Sequence, residues 1–77
     1  MDVKVLGPGC TKCKKLYAEV EKVIAETGST AVLTKVDRVE DIMKFGVMVT
    51  PALVIDGEVK SLGRVPGHKE IAGWLGK

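Results

Sequence analysis

Only two of the 77 residues are cysteine and one is histidine, so the side chains that usually hold metal ions are few. Four-coordinate structural zinc wants two ligands beyond a cysteine pair, and His68 is the one imidazole available. The three aromatic residues form no stacking platform for bases. The formal charge of +2, with lysines spread among glutamates, is too small to argue for a nucleic-acid partner. No apolar run approaches the roughly 20 residues that cross a membrane as a helix. Neither a repeat nor a linker nor a low-complexity segment divides the chain. The opening residues, MDVKVLG, read as a strand and not as a signal peptide. These absences predict one compact domain over residues 1–77, cytoplasmic, with no membrane and no nucleic acid among its partners.

What is present fits a soluble globular class: 45% of the residues are apolar and 29% charged. At this length one core is only marginally sufficient. In a reducing compartment, a cysteine pair three residues apart is expected to be catalytic or metal-binding and not a permanent staple.

The hydrophobic pattern predicts seven elements. Val3–Leu6 is a short strand rich in β-branched residues, broken by Gly7-Pro8-Gly9. A helix follows, with Leu16, Tyr17, Val20, Val23 and Ile24 on one stripe and Gly28 as its stop. Thr30–Val36 reads as the second strand. Asp37 with Glu40 three residues on predicts the cap of a short helix that buries Ile42, Met43 and Phe45 and ends at Gly46. Pro51–Asp56 is almost continuously apolar, as in a strand covered on both faces. Asp56-Gly57 signals a tight hairpin, which returns Glu58–Leu62 antiparallel. A last helix begins near Gly67 and buries Ile71, Trp74 and Leu75. The order β-α-β-α-β-β-α implies an α/β fold, its first two strands parallel through a right-handed crossover and its sheet mixed, between helices.

Cys10 falls at the junction of the first strand and first helix, and Cys13 one turn inside. Positions i and i+3 of a helical turn share a face, with Cα atoms about 5 Å apart, so a reversible disulfide is geometrically available. The unpaired amides of the first turn and the positive end of the helix dipole favour a thiolate at Cys10, helped by Lys12, Lys14 and Lys15. Cys10 is thus the predicted nucleophile and Cys13 the resolving thiol. The alternative is a soft-metal carrier holding Cu(I) between the same thiols. The stretch LGPGCTKC is similar to that of heavy-metal-associated domains but lacks the methionine of their G-M-x-C-x-x-C pattern.

The second half of the chain supplies another signal. Pro51 opens a strand that would be broken by a proline at its centre. If that strand runs antiparallel to the first, Thr50-Pro51 faces Cys10 and Cys13. With GPGCTKC at 7–13, VMVTPALVIDG at 47–57 and GRVPGHKEI at 63–71, the chain resembles the thioredoxin superfamily. The likeness is to its small glutaredoxin-like, redox-active disulfide proteins from archaea and anaerobic bacteria, and it runs over essentially all 77 residues.

The resemblance implies a thioredoxin fold with a four-stranded mixed sheet, and a protein disulfide oxidoreductase with Cys10 and Cys13 catalytic. It implies a cis bond before Pro51, backbone pairing of Thr50 with substrate, and substrate contacts from Gly9, Thr11, Lys12, Gly63 and Arg64. No cofactor or metal is expected, since the electrons reside in the sulfurs. The implied partners are protein disulfides and an upstream reductase, met by a monomer. Three departures narrow the expectation. Gly9 stands where typical thioredoxins have Trp, the first strand offers no obvious buried acid, and Gly63-Arg64 replaces the Gly-Gly-Asp with which glutaredoxins hold glutathione. Glutathione is therefore expected to be a poor partner.

Overall fold

A computed structural model describes residues 1–75. The elements are β1 (Asp2–Leu6), α1 (Thr11–Thr27), β2 (Val32–Val36), α2 (Val39–Met43), β3 (Ala52–Ile55), β4 (Glu58–Leu62) and α3 (His68–Leu75), in the predicted order. The four strands form one mixed sheet ordered β2-β1-β3-β4. β1 is parallel to β2 and antiparallel to β3, and β3 is antiparallel to β4. This is the thioredoxin fold.

Strand alternation assigns each side chain to one of two cores. Val3, Val5, Leu53 and Ile55 face α1 and α3 and pack with Leu16, Val20, Val23, Ile71 and Leu75. Leu6, Ala52 and Val54 point the other way, onto Ile42 and Val47 beside α2. β3 is buried at every position because it is central and covered on both sides, which explains its unbroken apolar run. The hairpin turn places Asp56 at φ 50° and Gly57 at φ 81°, the pair of left-handed residues that a two-residue turn of this twist needs.

Three expectations are corrected. The second strand begins at Val32, not Thr30, because the Ser29 hydroxyl accepts the Ala31 N–H at 3.1 Å and holds a local turn. The second helix is capped by Arg38, with no side-chain cap bond, and not by Asp37. Ile42 is the buried residue of that short helix, and Met43 lies outside at 67% exposure. Trp74 and Tyr17 are half-buried at the margin of the larger core. At α3, the Glu70 carboxylate accepts the Gly67 N–H at 3.3 Å, the reciprocal half of a capping box.

Candidate active site

The turn between β1 and α1 carries the cysteines. Gly9 takes φ 94°, which a side chain would resist, and delivers the chain into the helix. Cys10 is the N-cap, with extended backbone at φ −68° and ψ 169°. Its Sγ accepts the Cys13 N–H at 3.2 Å, and its carbonyl accepts the Lys14 N–H at 3.0 Å. The first turn contains no acidic residue, so no carboxylate of that turn opposes negative charge on the sulfur. Cys10 and Cys13 are disulfide-bonded, with Cα atoms 5.0 Å apart. Their surroundings differ: Cys10 is exposed, whereas Cys13 is 3% exposed, on the buried stripe of α1 that continues through Leu16.

Register brings the second signal to the first. Ala52 pairs with Leu6 at the end of β1, so Pro51, one residue earlier, lies beside the turn that holds the cysteines. The Thr50–Pro51 peptide is cis and Pro51 is fully buried. Gly63, at φ 67°, donates its N–H to the Pro51 carbonyl at 2.8 Å, tying the end of β4 to this loop. A side chain at Gly63 would come within 2.8 Å of Val49 Cγ1. Thr11 and Lys12 are exposed on the first turn of α1. Arg64 is not a free cation: its guanidinium donates to both Glu70 oxygens at 3.1 and 2.9 Å. His68 bonds Glu19 through Nδ1 at 3.1 Å, linking α3 to α1 away from the cysteines.

One feature was missed from sequence. An open apolar groove adjoins the site, lined by Pro8, Val39, Ile42, Met43, Val47, Met48 and Thr50. Met48 is 96% exposed at its rim. The signal was the apolar run Val47-Met48-Val49 in a loop, where buried packing partners for all three are not expected. Among the described residues no group of three or more His, Cys, Asp or Glu side chains is placed to hold a metal ion, and no helix is long and apolar enough to cross a membrane.

An exposed sulfur at a helix start, bonded to a buried sulfur one turn later beside a cis-proline, defines a dithiol–disulfide redox site. Comparison with known proteins agrees. Residues 1–76 match the thioredoxin domain. The chain is similar to the thioredoxin of Methanothermobacter thermautotrophicus, 32% identical over 71 residues that cover 92% of each chain. It is also similar to the thioredoxin of Methanocaldococcus jannaschii, 35% identical over 69 residues that cover 90% of this chain and 79% of that one. The chain belongs to the thioredoxin domain family, and it is a thiol–disulfide oxidoreductase.

Proposed function

We propose that Cys10 attacks target disulfides and Cys13 resolves the mixed disulfide. The observation that carries this is the unequal placement of the two sulfurs, one exposed at the helix cap and one buried behind it. The Cys13 N–H directed at Cys10 Sγ stabilises the thiolate that attacks. Cys10 thiolate displaces one sulfur of the target as a thiolate. Cys13, as its thiolate, then attacks Cys10 Sγ, forms the internal disulfide and expels the second target sulfur. The net change is one target disulfide reduced and one dithiol oxidised. An upstream reductase returns the two electrons.

The target segment is read as lying across Thr50, whose backbone pairs with it like a short added strand, with Pro51 packed beneath. Gly9, Thr11 and Lys12 flank it on the cysteine side, and Gly63 and Arg64 on the other. Arg64 meets an anionic partner only by releasing Glu70. The apolar groove beside Thr50 supports a protein target over a small hydrophilic one, because it offers apolar area to a side chain near the target's cysteine. In this reading the chain works as one monomeric unit in the cytoplasm, without a resident cofactor, nucleic acid or membrane. The test is single replacement of each cysteine. Cys10→Ser should abolish reduction of a disulfide-bonded protein, whereas Cys13→Ser should form mixed disulfides that persist. Turnover by Cys10→Ser would reverse the assignment.

A further inference from the structure

Gly7, the residue between β1 and the cysteine turn, has no place in the chemistry so far. We infer that it is a positioning residue for the resolving step: the missing side chain at position 7 lets the Cys13 sulfur lie within bonding reach of Cys10. This rests on the roles of the two cysteines proposed above. A β-carbon built on Gly7 would overlap Cys13 Sγ and stand 3.0 Å from Cys13 Cβ. On its other side it would touch Thr50 Cβ at 3.9 Å. Gly7 thus sits where the cysteine turn and the proline loop meet. Its backbone is not among the left-handed glycines, unlike Gly9, so space and not conformation demands glycine here.

Neither side of this contact has room to retreat. Gly7 is buried and donates its N–H to the Val36 carbonyl at 2.8 Å, one step beyond the β1–β2 ladder, and Leu6 before it is fully buried. Cys13 is held by α1, whose Leu16, Val20 and Val23 are fully buried in the larger core. A methyl group at position 7 is therefore accommodated most readily by rotating the Cys13 sulfur away, with a shift of a few tenths of an ångström at Cys13 Cβ. The dithiol form tolerates that rotation. The disulfide does not, because its sulfur must meet Cys10. The mixed disulfide needs the same position, since Cys13 must attack Cys10 Sγ before the target sulfur leaves with its electron pair. The initial attack by Cys10 needs nothing of the Cys13 sulfur; it draws only on the Cys13 N–H, which the rotation leaves in place.

Gly7→Ala tests this through quantities that general loss of packing does not move in this pattern. The Cys10–target mixed disulfide should last at least tenfold longer. The dithiol–disulfide equilibrium should move at least tenfold toward the dithiol, about 30 mV less negative in potential. The first attack by Cys10 on a small aromatic disulfide should change less than twofold. A wild-type potential together with wild-type release overturns the inference. If Gly7→Ala does not fold, Gly7→Ala combined with Cys13→Ala removes the sulfur. Recovery of the stability of Cys13→Ala alone supports the contact, and continued failure to fold overturns it. Cys13→Ala by itself separates the two layers. If it traps no mixed disulfide, the cysteine roles fail and the inference with them. If it traps one while Gly7→Ala behaves as wild type, only the inference fails.

Discussion

Reduction of the Cys10–Cys13 bond breaks one covalent link and adds two hydrogens, and its energetic consequence follows from the spacing. The bond joins residues separated by 3 in sequence, a closed loop of four residues. In the chain-entropy account, so short a loop removes about 6 cal/mol/K from the unfolded ensemble, or about 2 kcal/mol at room temperature. The oxidised form should exceed the reduced form in stability by that amount. That corresponds to about 8–15 °C in Tm for a domain of this length. By linkage, folding makes the dithiol about 40 mV more reducing than in the unfolded chain. Urea unfolding of oxidised and dithiothreitol-reduced protein, with Cys10→Ser/Cys13→Ser as control, measures the stability gap and, through the linkage, the difference in potential. A reduced form as stable as the oxidised one would refute the reasoning.

Two further outcomes can be checked independently. Ser61 is 6% exposed, opposite Leu53 on the face packed against α1 and α3, and among the described residues its hydroxyl has no hydrogen-bond partner. Ser61→Val should therefore be more stable than Ser61→Thr by about 1–3 kcal/mol, since the two differ by one buried hydroxyl. Equal unfolding midpoints would show that this hydroxyl is bonded in solution. The Arg64 guanidinium, followed by the Gly67 N–H, holds the Glu70 carboxyl below its ordinary range. A carboxyl lowered in this way stabilises the fold above the ordinary carboxylate range and loses that contribution as pH falls through the lowered value. Arg64→Gln should move the Glu70 titration upward in a carbonyl-detected NMR experiment, and an unmoved midpoint would discount the pair.

Local chemistry wrote most of the architecture into the sequence. The stripe of α1, its left-handed stop at Gly28 with φ 66°, and the Asp56-Gly57 hairpin each depend on a few adjacent residues, so composition and spacing suffice to place them. The reactive pair was legible for the same reason, because i and i+3 share a face in any helix. Where a side chain meets a partner distant in sequence, only tertiary structure decides. Asp37 and Glu40 read as a cap, yet α2 starts one residue later, the phase that carries Ile42 into the smaller core and leaves Met43 outside. Arg64 was expected among the substrate contacts, and only the fold shows that Glu70 on α3 pairs with its guanidinium. Gly7 looked like a strand breaker, whereas packing makes it the space that the Cys13 sulfur fills. Periodicity records which face of an element is apolar. It does not record which atoms of another element stand against that face, since this depends on strand register and helix phase across the whole chain.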